Sequence, residues 1–194
     1  MQNERPRLPW VTGLLLALAL ALWLAPEGVR QACLYDRRAL LQGQLWRLWT
    51  GHWVHFSGSH LGWNLLVVAV AGTWIERAGF RGGVWLAALA PPVISIVLLL
   101  GEPTLQQFGG LSGVATAAVV FACGAEWRRS ASDRIYWGAV VVLVALKVGW
   151  EYLSGGSLFA QYGQTGVHTV PLSHLAGFCV GGLLSFRTRR EASR

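Results

Sequence analysis

Apolar residues gather into six runs, at about Leu8–Ala25, His60–Ile75, Gly82–Gly101, Gly110–Ala125, Ile135–Trp150 and Val170–Phe186, separated by charged or Pro- and Gly-containing stretches. Runs of this length without two-residue alternation predict helices. A hydrocarbon core about 30 Å thick asks for roughly 20 apolar residues, so the runs read as membrane spans over about 8–25, 58–75, 82–101, 110–126, 135–152 and 170–186. Several are short and Gly-rich, as expected of helices shielded by neighbouring helices rather than by lipid. The first run follows Arg5 and Arg7 as a signal peptide would, but Pro26-Glu27 after Ala25 is a poor cleavage site, so a retained helix is expected. The pattern predicts an all-α membrane protein with six transmembrane helices in one unit spanning 1–194, with no internal repeat and no second domain.

Composition agrees with a chain solvated by lipid. Of 194 residues, 54% are hydrophobic and 13% charged, and the mean hydropathy is +0.44. About a quarter of an ordinary soluble domain is charged, so a soluble globule is excluded, as is disorder. Three Cys in a chain of this length exclude a disulfide scaffold, and Cys33, Cys123 and Cys179 read as unpaired. The net charge of +7 is explained by where the arginines lie. With the N-terminus inside, the inner connections hold Arg5, Arg7, Arg77, Arg81, Arg128, Arg129, Arg134, Arg187, Arg189, Arg190 and Arg194. The outer ones hold only Arg30, Arg37, Arg38 and Arg47, all in the connection 26–57. That asymmetry places both termini in the cytoplasm and removes the reason to expect nucleic acid.

Polar groups are costly in hydrocarbon, so those within the apolar runs are functional candidates: His60, Asn64, Ser112, Lys147 and His174. At a rise of 1.5 Å per residue, counted from the arginine at the cytoplasmic end of each helix, Asn64, Lys147 and His174 lie roughly 20 Å up, Ser112 roughly 24 Å and His60 roughly 26 Å. Four helices thus bring polar groups to one depth, in the outer third of the bilayer. A serine needs a base to take its proton, and a neutral histidine is the usual one. Asn64, His60 and the backbone around Gly110 and Ser112 are candidate donors to an oxyanion. The glycines of Gly109-Gly110-Leu-Ser112-Gly113 allow close approach by a substrate chain. Taken singly the signals are ambiguous, since Gly-Leu-Ser-Gly and Gly177-Phe-Cys-Val-Gly181 also suit close helix packing.

Taken together, His55-Phe-Ser-Gly-Ser-His60-Leu-Gly-Trp-Asn64, Gly110-Leu-Ser112-Gly113 and His174-Leu-Ala-Gly177-Phe-Cys-Val-Gly181, in this order and topology, resemble the H-x-x-x-N, G-x-S-G and H-x-x-G-x-x-x-G motifs of the rhomboid intramembrane serine proteases. Trp46-Arg47 resembles that family's W-R signature. The resemblance implies a six-helix rhomboid-like bundle, a Ser112–His174 dyad, and His60 and Asn64 at the oxyanion hole. It implies cleavage of single-span membrane substrates near the outer leaflet, without cofactor. The small size and Lys147-Val-Gly-Trp150-Glu151 resemble the rhombosortase branch, which acts on bacterial substrates with Gly-Gly C-terminal sorting tails and implies a bacterial inner membrane. The chain departs from that branch in having Pro171-Leu-Ser173 in place of an acidic residue before the histidine, which leaves the branch open.

Lys147 and Glu151, four residues apart, share a helix face; they are either a structural pair or a recognition pair on the substrate path. No zinc motif is present and no acidic residue falls mid-span, so metal and aspartyl mechanisms lack their groups. His52 and His168 read as solvated loop residues, and Trp10, Trp23, Trp53, Trp74, Trp127 and Trp137 as interfacial anchors. Two other classes stay open: a catalytically silent rhomboid-like protein that binds transmembrane helices, and a small channel or transporter, for which no inverted repeat is found.

Overall fold

The computed structural model describes residues 8–156 and 169–187. The outer connection 157–168, with His168, and both terminal segments, with Arg5, Arg7, Arg189, Arg190 and Arg194, lie outside the described residues. Six helices occupy the six apolar runs: α1 (Trp10–Leu24), α5 (Gly58–Arg77), α6 (Gly82–Gly101), α7 (Ser112–Arg129), α8 (Arg134–Ser154) and α9 (Pro171–Arg187). Of these, α6 and α8 are long and apolar enough to cross a membrane. Three short helices, α2 (Glu27–Cys33), α3 (Arg37–Leu41) and α4 (Arg47–Thr50), lie in the connection between the first two runs. A strand β1 (Tyr35–Asp36) there pairs antiparallel with β2 (Gln107–Phe108).

Helix ends follow local chemistry. Ser57 accepts the His60 N–H at 3.1 Å to start α5, and Asp36 accepts that of Ala39 at 2.8 Å to start α3, side-chain oxygens satisfying backbone donors that have no helical partner. Pro171 opens α9, where its missing N–H costs nothing. The start of α1 is capped from another helix. Glu76 on α5 accepts the backbone N–H groups of Val11 and Thr12 at 3.1 and 2.7 Å and the Thr12 hydroxyl at 2.6 Å, a carboxylate at the positive end of a helix.

The centre of the molecule is α7, buried nearly all round by Val114, Ala117, Ala118, Phe121 and their neighbours. Its most intimate contact is with α9, where small residues let backbones touch. A Cβ on Gly177 would lie 2.9 Å from the Gly113 carbonyl carbon, one on Gly181 3.0 Å from that of Ala117, and one on Gly113 2.8 Å from the Ser173 carbonyl oxygen. By contrast α8 buries only Val148 and Glu151 and leaves Ile135, Leu143, Leu146 and Leu153 exposed, the composition of a surface facing lipid.

Connection 26–57, which its sequence presents as a long loop rich in Trp and Arg, is tightly seated. Four successive carbonyls at the C-terminal end of α2 accept side-chain donors. Gln31 and Leu34 accept Arg47 Nη1 at 2.7 and 2.5 Å, Ala32 accepts the Trp46 indole at 3.1 Å, and Cys33 accepts the Thr50 hydroxyl at 2.6 Å. These are carbonyls that a helix end leaves without partners, and a guanidinium suits their negative charge. On α6, Pro91 and Pro92 have no N–H to give to Ala87 and Ala88, and the Trp49 indole donates to the Ala88 carbonyl at 3.0 Å.

Two residues of this segment depart from the expectation. His52 is not solvated but fully buried. Its Nε2 lies 2.9 Å from the Pro91 carbonyl and 3.0 Å from Ser95 Oγ; a carbonyl only accepts, so Nε2 carries the hydrogen. Burial lowers its pKa to about 4, so the ring is neutral near pH 7. Trp53, expected at an interface, is buried as well.

Candidate active site

Ser112 is the first residue of α7 and is half-buried. The first N–H groups of a helix have no intrahelical acceptor and carry the positive end of its dipole, so the serine opens onto a donor-rich surface. The turn before it needs glycine for two reasons. Gly110 has φ +126°, which side chains rarely adopt, and a Cβ there would meet His60 Nε2 at 2.6 Å. A Cβ on Gly109 would meet the Val54 carbonyl at 2.8 Å. The Gly109–Gly110 backbone therefore passes between the connection and the His60 ring with no room for side chains.

His55, part of the motif but with no role expected for it, holds this turn. Its Nδ1 lies 3.1 Å from the Trp53 carbonyl and donates to it, which leaves Nε2 to accept the Leu111 N–H at 3.4 Å. Burial lowers the His55 pKa to about 4, keeping the ring in the neutral form that this pattern requires. The His55 and His60 rings meet edge to face with centroids 5.0 Å apart. The spacing H-x-x-x-x-H in the sequence was the available signal: it puts one ring at the end of the connection and the other on the first turn of α5.

His60 and Asn64 stand one turn apart on α5, both buried, and so on one face. The Asn64 Nδ2 has no hydrogen-bond partner among the described residues. A buried amide donor left unsatisfied costs about 1–3 kcal/mol, so the position is under tension unless an acceptor arrives.

His174 lies on the first turn of α9, buried. It neighbours Ser173, whose carbonyl packs against Gly113. The α7–α9 contact thus places the residue after Ser112 against the residue before His174. No hydrogen bond joins Ser112 to His174 among the described residues. The His174 ring has other partners, from α8. Its Nδ1 lies 2.7 Å from Glu151 Oε2, and Lys147 Nζ lies 2.8 Å from the same oxygen and 3.2 Å from Nδ1. The Lys147–Glu151 spacing was visible in the sequence; its junction with His174 was not, because i, i+4 spacing says nothing about which neighbour a helix face meets.

The structure thus gathers Ser112, His174, His60, Asn64, Gly110, Lys147 and Glu151 into one region where α5, α7, α8 and α9 adjoin. Among the described residues no group of three His, Cys, Asp or Glu side chains is arranged to hold a metal. Cys33, Cys123 and Cys179 are free thiols.

A family model described as the Rhomboid domain matches residues 42–191, which takes in every residue named in this site. No curated protein matches the chain.

Proposed function

We propose that this chain, which belongs to the rhomboid family, is an active intramembrane serine endopeptidase that works through Ser112 and His174. Rhomboid proteins are integral membrane proteins and generally intramembrane serine proteases, acting on transmembrane substrates in the bilayer, though some members are inactive. The observation that carries the active reading is the serine at the start of α7, half-exposed, held by the Gly113–Gly177 contact beside the helix that bears buried His174.

In this reading Ser112 Oγ attacks the scissile carbonyl carbon as its proton passes to His174 Nε2. The carbonyl oxygen becomes an oxyanion that accepts from Asn64 Nδ2, from the backbone N–H of Ser112 and from the His60 side. When the C–N bond breaks, the imidazolium returns the proton to the leaving amine and an ester remains on Ser112. Water, giving a proton to His174, then attacks the ester carbon; as the bond from that carbon to Ser112 Oγ breaks, the imidazolium returns the proton to Oγ and the new carboxyl terminus is released. Every step uses groups of the chain and water, with no cofactor.

The finer parts of the proposal rest on the pattern of charges and runs for the topology, and on the resemblance to rhomboids and rhombosortases for the location and the substrate. The chain forms one membrane unit over 1–194, with six spans and both termini in the cytoplasm. It lies in a bacterial inner membrane and cleaves single-span substrates near the outer leaflet, removing Gly-Gly-type C-terminal sorting tails as rhombosortases do. The test is labelling of the purified full-length protein with a fluorophosphonate probe. Wild type should label, and Ser112→Ala and His174→Ala should not, nucleophile and base acting as a unit. Labelling of Ser112→Ala at the wild-type rate would refute the mechanism.

A further inference from the structure

We propose that Glu151 is a positioning residue for His174, and that Lys147 holds Glu151 in that role, so that the Ser–His pair is completed by a carboxylate from α8. The inference rests on the reading of Ser112 and His174 as nucleophile and base, and adds to it a member that the serine and histidine motifs do not contain.

Three observations carry it. The first is the hydrogen bond of 2.7 Å between His174 Nδ1 and Glu151 Oε2. A carboxylate only accepts, so the ring turns Nδ1–H toward Glu151, and its one remaining lone pair is on Nε2. That is the tautomer that can take a proton from a serine. The second is burial: Glu151 is 1% exposed, and a carboxylate so placed needs a partner. Lys147 supplies it at 2.8 Å, from one turn earlier on the same helix. The third is the competition at Nδ1. Lys147 Nζ lies 3.2 Å from that nitrogen, and an ammonium can only donate. If Glu151 were absent, the Lys147 ammonium would favour a lone pair on Nδ1 and so a hydrogen on Nε2, which disables the base. Glu151 lies closer to the ring than the ammonium does and reverses that preference.

When Ser112 Oγ bonds to the substrate carbon, its proton moves to Nε2 and the ring becomes imidazolium. The Nδ1 hydrogen stays where it is, hydrogen-bonded to a Glu151 carboxylate that does not take it up. Orientation, tautomer and charge stabilisation come from one bond, as in soluble serine proteases with a buried aspartate.

The experiment uses the full-length protein in detergent, with the fluorophosphonate labelling rate, melting temperature and ¹⁵N-histidine NMR at pH 8 as readouts. In Glu151→Gln the Lys147 ammonium takes the amide oxygen and turns the amide NH₂ toward His174 Nδ1, favouring Nε2–H. Labelling should slow by about 10²–10⁴-fold, toward the loss seen when a triad aspartate becomes asparagine. The His174 signal should change from Nδ1–H to Nε2–H, with the melting temperature little changed. Glu151→Asp keeps the carboxylate and should recover a large part of the rate and the wild-type tautomer. Wild-type rate and tautomer in Glu151→Gln would overturn the inference while leaving the protease reading intact. A slower rate with an unchanged tautomer, a lowered melting temperature and no recovery in Glu151→Asp would also overturn it, making Glu151 a packing residue. Failure of wild type itself to label would instead overturn the protease reading.

Discussion

Replacing Gly177 with alanine tests whether the α7–α9 contact sets the geometry of the site. The added Cβ would lie 2.9 Å from the Gly113 carbonyl carbon, where ordinary contact between carbons is about 3.5–4.0 Å. The obstructing atoms are backbone, which has no rotamer to retreat into, so the helices must separate by close to 1 Å. Overpacking of this kind costs about 1–3 kcal/mol. A displacement of about 1 Å between reacting groups can cost roughly 100-fold in rate, and the residues displaced adjoin Ser112 and His174. Gly181→Ala is the control. Its Cβ would lie 3.0 Å from the Ala117 carbonyl carbon, an equal crowding one helical turn, about 6 Å, farther from the site. Melting temperature and fluorophosphonate labelling of both variants separate the two effects. Both should lose similar stability, and Gly177→Ala should label at least tenfold more slowly than Gly181→Ala. Equal labelling rates, or a Gly177→Ala protein with the wild-type melting temperature, would refute the reasoning.

Two further outcomes follow. Asn64→Ala should keep or slightly raise the melting temperature, because it removes a buried donor without a partner among the described residues, yet lower the labelling rate by about 10²–10³-fold; a wild-type rate would remove Asn64 from the oxyanion site. In acid, buried His52 and His55, with pKa values lowered to about 4, stay neutral while the unfolded chain takes up protons below pH 6.5. The unfolded state then binds more protons, so stability should be fully present above pH 6.5 and fall toward pH 4 by up to about 1.4 kcal/mol per pH unit for each ring, to be read as melting temperature against pH. A flat profile over that interval would contradict their burial as neutral rings.

The six long helices are legible because each is an apolar run bounded by Arg, Pro or Gly. The run expected at 82–101 coincides with α6, and Ser112, His174, His60 and Asn64 stood out as polar residues in apolar surroundings. Connection 26–57 was opaque for the opposite reason. Its order comes from side chains reaching single carbonyls, as Arg47 does to Gln31 and Leu34, and such bonds leave no periodic trace. The β1–β2 pair is too short to show alternation. His52 is expected in water because it falls outside the six apolar runs, whereas a carbonyl of α6 receives it. For Glu151 the spacing predicts a structural or recognition pair with Lys147, since nothing in the local spacing of α8 identifies a ring on α9, 23 residues away.

The seat of the Trp46–Thr50 region on α6 has a consequence for the order of assembly. Ribosomes deliver the N-terminal part of a chain first, yet the Trp49 indole waits for the Ala88 carbonyl, His52 for Pro91 and Ser95, and Tyr35–Asp36 for Gln107–Phe108. The early segment can therefore reach its final form only after the chain has been made through β2, just short of Ser112. Closure of this seat would coincide with the arrival of α7 and Ser112, so that the candidate site is put together late, from parts that were synthesised early.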